Sequence, residues 1–418
     1  MEQSVYDKYR ASFVRSEEMD KKNLSFLIGG LLAMAIALGI GRFSYTPILP
    51  LMQQKFDFPE TIAGYLASAN YAGYLIGAIL TGLFSMKGRT IPILRVSLII
   101  GVATTCLMSF TTSYTLWGIL RFLSGVCSAM VFVLASSIVL GKLREIGRTN
   151  WSGFFYMGPG CGIFLTGISI PFFYHNWGWK GAWIGLSGLS LLLLIVIFLT
   201  FKERPVFLHN KKGNEAHQST APPKKWLPFL IVANGCEGLG YIVTGTFIVS
   251  IAQKTPSFHF DPSVIWTVVG ITAIPSCLLW SACSKRWGFI KSLILAMFIQ
   301  AIGVSIPVWS SSSFSLFASA AIFGATFMGI TSLGATLLGQ MVPKNNSRIM
   351  GYFTAAYAVG QMIGPTLAGV LSEATNNYNT SLLGAAAIVF IGSMLLMSGL
   401  KYENKKVLTT KSHRLFKS

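Results

Sequence analysis

Gly39-Ile-Gly-Arg-Phe-Ser-Tyr-Thr-Pro-Ile-Leu-Pro50 lies in the first of six long apolar runs, and Cys236-Glu-Gly-Leu-Gly-Tyr-Ile-Val-Thr244 lies in the first of six more. Their glycine pairs, Gly39/Gly41 and Gly238/Gly240, are 199 residues apart. Gly125 in the fourth run and Gly324 in the tenth keep that offset, as do Ser85 after the second and Ser284 after the eighth. Three matches at one offset, on equivalent runs, mark a duplicated six-helix unit. The expectation is an all-α membrane protein of twelve transmembrane helices in two pseudo-symmetric six-helix bundles.

Composition requires lipid as the solvent. The 418 residues are 52% hydrophobic and 11% charged, with a mean hydropathy of +0.59, more apolar surface than soluble domains bury. Spans are expected at about 24–51, 61–83, 91–109, 114–140, 151–173, 181–201, 226–252, 265–283, 292–310, 314–341, 350–371 and 381–400. Most reach the ~20 residues that cross the hydrocarbon. The corresponding domains are an N-terminal tail at 1–23, a first bundle at 24–201, a central loop at 202–225, a second bundle at 226–400 and a C-terminal tail at 401–418.

The net charge of +19 is one-sided. The face that holds the tails and the central loop carries 28 of the 33 Lys and Arg against 9 acids, and the opposite face 3 against 4. By the positive-inside bias both termini are cytoplasmic in a multi-pass protein of the cell membrane. The basic excess is then an orientation signal with some attraction to anionic lipid, and no nucleic-acid partner is implied. The N-terminal segment precedes a run too long for a cleaved signal. The six cysteines fall within or at the ends of spans, in no metal-ligand spacing, so no metal or cofactor is expected. A monomer is the expected state.

Ionisable groups inside hydrocarbon are costly and mark function. Three lie well inside the spans: Arg42, Arg121 and Glu237. Glu237 falls near the bilayer midplane and is the one embedded group able to exchange a proton near neutral pH, so it is the candidate for proton coupling or substrate contact. A permanent ion pair with an arginine, or a carboxyl that stays neutral throughout, is the purely structural alternative. Asn234, Glu237, Tyr241 and Thr244 follow at i, i+3, i+7 and i+10, one polar stripe expected to face a cavity. Shorter stripes join Arg42 with Tyr45, Asn70 with Tyr74, Arg121 with Ser124 and Ser128, and Tyr357 with Gln361. These residues either line one pathway or bond helix to helix. An arginine cannot shed its charge and needs an anion or water, so Arg42 and Arg121 are read as the positive field of a substrate site, with Tyr45 and Tyr241 shaping it. Two fixed cations and one acid favour an anionic or zwitterionic solute; a cation held by Glu237 is the alternative. Phe43, Tyr74, Tyr156 and Tyr357 are further candidate walls.

Helix-breaking signals recur in the fifth and eleventh runs, Gly158-Pro159-Gly160-Cys161-Gly162 and Gly360-Gln-Met-Ile-Gly364-Pro365. Glycines permit close helix approach and proline removes a backbone donor, so Gly158, Pro159, Gly162, Gly364 and Pro365 are expected hinge and packing positions.

From about Leu24 to Leu400 the chain resembles the major facilitator superfamily, and the Gly39–Pro50 and Cys236–Thr244 strings resemble its YbfB/YjiJ branch. Arg121-Phe-Leu-Ser-Gly125 is similar to the superfamily's span-four signature, and the Gly158-Pro159 segment to its antiporter motif, with Phe154 where that motif has its first glycine. The loop Gly82-Leu-Phe-Ser-Met-Lys-Gly-Arg89 lacks the aspartate usual in the gating loop, and Ser284-Lys-Arg-Trp-Gly288 has no acid either. The resemblance implies secondary active transport of a small organic solute by alternating access, leaning to export; the one embedded titratable acid, Glu237, points to proton coupling, with sodium as the alternative ion. A multidrug or cation exporter is the alternative, and a non-transporting sensor a remoter one. No grouping of His, Asp and Cys suggests an enzyme.

Overall fold

The computed structural model describes residues 24–84, 88–148, 151–200, 222–342 and 347–403. The N-terminal tail, most of the central loop, residues 404–418 and Ser85 to Lys87 of the first gating loop lie outside the described residues. Ten stretches among them are long and apolar enough to cross a membrane. In chain order the helices are α1 (Leu24–Phe56), α2 (Glu60–Leu83), α3 (Thr90–Leu107) and α4 (Tyr114–Glu145). The stretch Ser152–Leu199 is two passes, α5 (152–177) and α6 (179–200), joined at Gly178, whose φ of 66° and ψ of −165° suit glycine. The second half holds α7 (Leu227–Lys254), α8 (Ser263–Trp287), α9 (Phe289–Trp309), α10 (Ser313–Met341), the more polar α11 (Ser347–Thr375) and α12 (Asn379–Met397). Twelve passes in two six-helix bundles result, and no strand occurs among the described residues.

The offset of 199 residues has a physical expression. A Cβ added at Gly125 would lie 1.9 Å from the Asn70 carbonyl oxygen, and one at Gly324 would lie 2.4 Å from that of Val269, itself 199 residues after Asn70. Both glycines therefore let equivalent helix pairs, α2 with α4 and α8 with α10, touch backbone to backbone. Thr46 of α1 donates its hydroxyl to the carbonyl of Gly245 in α7, its own counterpart in the repeat. Counterparts that touch lie on the pseudo-twofold axis, so α1 and α7 meet there.

Helix α1 is broken where it nears this axis. Residues Ala35–Ile40 form a π-helical turn, 41–44 a turn with helical dihedrals at Gly41 and Ser44 but an irregular hydrogen-bond ladder, and Tyr45–Phe56 a second α-helical piece. Pro47 has no N–H to offer the Phe43 carbonyl, and the Thr46 amide bonds to it instead at 3.3 Å. That shift leaves the Arg42 carbonyl without its usual partner.

The two halves share one apolar core on one side of the membrane and keep separate cores on the other, where Gly153 of α5 still lies against Leu278 of α8. On the side away from Leu24 and Glu403, here the distal side, one apolar core draws residues from both halves, from Ile40, Ile48 and Trp117 to Phe247, Trp266 and Leu382. Towards the opposite, terminal side there are two cores, one around Met34, Leu98 and Ile138, the other around Leu230, Met297 and Leu337. In α7 every residue from Gly240 to Ala252 is buried, whereas the terminal part of the helix is mixed. The distal seam is sewn by small residues and polar groups. Ser68 of α2 bonds the Met362 carbonyl at 2.6 Å and Thr366 Oγ1 at 2.8 Å; Trp266 Nε1 of α8 donates to Thr166 Oγ1 of α5 at 3.2 Å. Lys254 pairs with Glu60, and the Thr61 amide donates to Glu373 Oε2 at 3.2 Å. Tyr378, in the turn before α12, also reaches Glu60, at 3.5 Å; burial, reinforced by that carboxylate, raises its phenol above the ordinary range. Next to this latch a distal cleft of about 510 Å³ is lined by Gln53, Asp57, Glu60, Gln253 and Lys254.

At Gly64 a Cβ would come within 2.3 Å of the Pro365 carbonyl oxygen, so Gly64→Leu should wedge the seam apart. On a cysteine-free background carrying Thr46→Cys, distal maleimide labelling should rise about tenfold for each ~1.4 kcal/mol of clash. Unchanged labelling would contradict a seam closed at Gly64.

Candidate functional site

The break in α1 decides what each embedded arginine does. Arg121 of α4 reaches the unsatisfied turn, Nη2 donating to the Arg42 carbonyl at 3.1 Å and Nη1 to that of Gly41 at 3.3 Å. Ser124, one turn on, adds a bond to the Gly41 carbonyl at 2.9 Å. In a membrane such carbonyls have no water to turn to and need a protein partner. The Arg121 guanidinium also lies over the Tyr45 ring at 4.6 Å, and Tyr45 is fixed by its hydroxyl to the Ala63 carbonyl at 3.0 Å. The structure thus gives Arg121 and Tyr45, expected at a substrate, a backbone-holding duty; of the Arg121 donors only Nε is without a partner.

Arg42 is differently placed. It is buried, its guanidinium over the rings of Tyr74 at 4.3 Å, Tyr71 at 4.6 Å and Phe43 at 5.3 Å. Its Nε and Nη2 have no hydrogen-bond partner. The phenols of Tyr241 and Tyr357, on the other half, lie within electrostatic range. Phe43 meets Phe327 of α10 at 6.1 Å and Trp266 of α8 at 6.3 Å, so the aromatic environment of Arg42 crosses from one half to the other.

The expected polar stripe of α7 splits in two. At 100° per residue, Asn234 and Tyr241 point within about 20° of each other, and Glu237 and Thr244 about 60° to one side. Asn234 Nδ2 donates to the Phe353 carbonyl of α11 at 2.9 Å, and Tyr241 accepts a hydrogen bond from Gln361 Nε2, also of α11. Glu237 instead turns into the second bundle, where its Oε1 accepts from Gln300 Nε2 of α9 at 2.8 Å and its Oε2 has no partner. A void of about 10 Å³ beside it, lined by Asn234, Leu293, Met297 and Gly334 among others, has room for about one water. Glu237 therefore does not face the interface between the halves, and it forms none of the salt bridges of the described residues. Gln300 is the site residue that sequence reasoning missed. Its one signal was the repeat, for the positions 199 residues before Glu237 and Gln300 are Leu38 and Gly101, so the polar pair is special to the second half.

Asn70 and Tyr357 also have defined partners: Asn70 Nδ2 donates to the Arg121 carbonyl at 2.8 Å, and the Tyr357 hydroxyl bonds Thr331 Oγ1 at 3.1 Å. Tyr156 packs edge-on against Phe155 beside the terminal core of the first half, which Tyr74 of the Arg42 cluster also borders. The expected hinge residues are close-approach points. A Cβ at Gly158 would strike the Leu31 carbonyl of α1, one at Gly162 the Ala35 carbonyl, and one at Gly364 the Leu239 carbonyl of α7, at 2.4, 2.4 and 2.6 Å. Gly160, on the other face of α5, meets Ile274 of α8 across the seam. Pro159 follows the non-helical step at Tyr156 and Met157, and the Pro365 carbonyl seats Gly64. At Gly288, whose φ is 97°, the chain turns into α9 beside an acid from the C-terminal end of the described residues. Glu403 accepts from the amides of Ile290 and Lys291 at 3.0 Å each, capping α9.

A family profile described as "Uncharacterised MFS-type transporter YbfB" matches residues 34–397. The chain belongs to this family of major facilitator superfamily transporters. Among similar proteins is the uncharacterized MFS-type transporter YceJ of Bacillus subtilis, 24% identical over 91% of this chain and 97% of its own. Monocarboxylate transporter 13 of Rattus norvegicus is 25% identical over 82% of this chain and 81% of its own. In fold the chain is similar to a bacterial homologue of the lysosomal transporter Spinster in an inward-facing, occupied conformation, with a TM-score of 0.71 at 12% identity over 90% of this chain and 97% of that one. Family and fold are those of a multi-span membrane transporter, not of an enzyme.

Arg121→Lys, which cannot serve two carbonyls in the plane of a fork, should lower thermal stability in detergent by about 1–3 kcal/mol. Ser124→Ala should cost about 1 kcal/mol. Arg42→Lys should cost less than Arg121→Lys, because two donors of Arg42 bond nothing and lysine keeps a cation beside the Tyr71 and Tyr74 rings. The reverse order of stabilities would contradict this division of labour.

Proposed function

We propose that the protein is a proton-coupled secondary transporter that moves a small organic anion across the cell membrane by alternating access, with both termini cytoplasmic. The observation that carries the reading is Arg42, a buried cation with two free donors among aromatic rings of the first half, one of which, Phe43, meets Phe327 and Trp266 of the second. A buried charge of this kind is expensive in a membrane and is retained where a ligand of opposite sign completes it. The relative named as a monocarboxylate transporter supports an anion. A cationic drug is disfavoured, because Glu237, the one acid available to it, is turned towards Gln300 within the second bundle.

Glu237 is the coupling group in this reading. With one oxygen bonded and the other free in an enclosed site, it gains or loses a proton according to whether water and charge reach it. Proton and solute then bind at separate places, Glu237 within the second half and Arg42 between the halves, and the movement of α7 links them. The single distal core and the two separate terminal cores suit a state in which the cytoplasmic side is the one that opens. The glycines of α5, which seat α1 on one face and α8 on the other, fit the export direction favoured by the Gly158-Pro159 motif. Asn70, Asn234, Gln361 and Tyr357 hold the helices that carry the site.

In proteoliposomes Glu237→Gln should abolish solute accumulation driven by a proton gradient, about a hundredfold or more, while counterflow exchange persists within severalfold of wild type. Gln300→Leu should impair gradient-driven movement more than exchange. Equal loss of both modes in Glu237→Gln would assign Glu237 to structure or substrate and remove it from coupling.

A further inference from the structure

We propose that the solute is a monocarboxylate with a flat aromatic body, its carboxylate held on one edge of Arg42 and its ring continuing a stack of aromatic side chains in the second half. This deepens the reading of the protein as a transporter with its solute site between the halves, and rests on it.

Nε and Nη2 are the free donors of Arg42, and they form one edge of the guanidinium, with parallel hydrogens. That edge matches the two oxygens of a carboxylate, which it binds through two charge-assisted bonds. Two tyrosine faces of α2 and the Phe43 ring hold the guanidinium, so its direction is set before any ligand arrives. Charge limits the ligand further. Arg121 is engaged by backbone carbonyls, which leaves one guanidinium with a whole carboxylate-binding edge open. A single cation neutralises a monoanion; a phosphomonoester would bring a second negative charge into a site with no partner for it. A cationic ligand would meet repulsion from Arg42.

The ring preference comes from the facing wall. Phe323, Phe327, Tyr241 and Tyr357, on α10, α7 and α11, are nearly parallel: interplanar angles are 9° for Phe323 with Phe327, 7° for Tyr241 with Phe327 and 14° for Tyr241 with Tyr357, at centroid separations of 5.1 to 5.9 Å. Aromatic pairs meet either edge to face, as the Phe56, Trp117 and Trp179 rings do in the distal core, or offset-stacked, and here four rings in succession share the second geometry. A parallel slab offers π faces to another planar ring. Phe43, in contact with both Arg42 and Phe327, links the charged edge to the slab.

The test is ligand binding to the purified full chain by thermal shift and calorimetry, with benzoate, cyclohexanecarboxylate, benzamide, phenyl phosphate and benzylammonium as probes. Benzoate should bind, cyclohexanecarboxylate about threefold to tenfold more weakly, the factor one aromatic contact supplies, and the other three not measurably. Arg42→Lys, folded as judged by its unliganded melting, should weaken benzoate about tenfold or more. Phe327→Leu should erase the preference for benzoate over cyclohexanecarboxylate while binding of both persists. Benzylammonium or benzamide binding as well as benzoate, benzoate binding that survives Arg42→Lys, or no binding of any probe at about 10 mM would overturn the proposal. Counterflow of a solute that is no carboxylate, lost in Arg42→Lys, would leave the transport reading standing and end this one.

Discussion

A helix that crosses lipid cannot leave backbone carbonyls unpaired, and at its irregular turn α1 withdraws the helical partners of Gly41 and Arg42. Pro47 withholds its donor, Thr46 shifts back to Phe43, and the carbonyls of Gly41 and Arg42 are satisfied from α4 by Arg121 and Ser124. The break lies one turn from the point where α1 touches α7 on the pseudo-twofold axis. It fixes the direction of the Arg42 side chain, consumes the second embedded arginine, and puts the least regular backbone of the first half at the contact between the halves.

The second half solves the equivalent position differently. Tyr241 stands 199 residues after Arg42, and α7 runs through it as an unbroken helix. Polar chemistry there has moved one turn back, to Glu237, and one bundle face round, to Gln300. The duplicated unit thus carries its fixed cation in one copy and its titratable acid in the other. Both belong to the helices that meet on the axis, so a relative movement of α1 and α7 changes the surroundings of each.

The repeat made the architecture legible, because glycines at 39, 125, 238 and 324 are where helix backbones touch and no other residue fits. The Arg42 cluster was partly legible: Tyr74 followed from its helical spacing to Asn70, whereas Tyr71, one residue off that stripe, and the Phe323/Phe327 pair carried no polar-stripe signal. The role of Arg121 was not legible, since it depends on a hydrogen-bond shift forced by a proline some 75 residues away in sequence. The α7 stripe was read one bin too wide: residues at i and i+3 share a face only within about 60°, and here that angle separates α11 from α9. Gln300 was hidden as a single polar residue in an apolar run.

The division between a free Arg42 and an engaged Arg121 is tested most directly by nitrogen NMR of the protein with 15Nε-labelled arginine, the two embedded resonances assigned by Arg42→Lys and Arg121→Lys. On addition of benzoate the Arg42 Nε–H signal should move downfield as it gains a carboxylate acceptor, while the Arg121 signal stays in place. Movement of the Arg121 signal with Arg42 unmoved would contradict the account.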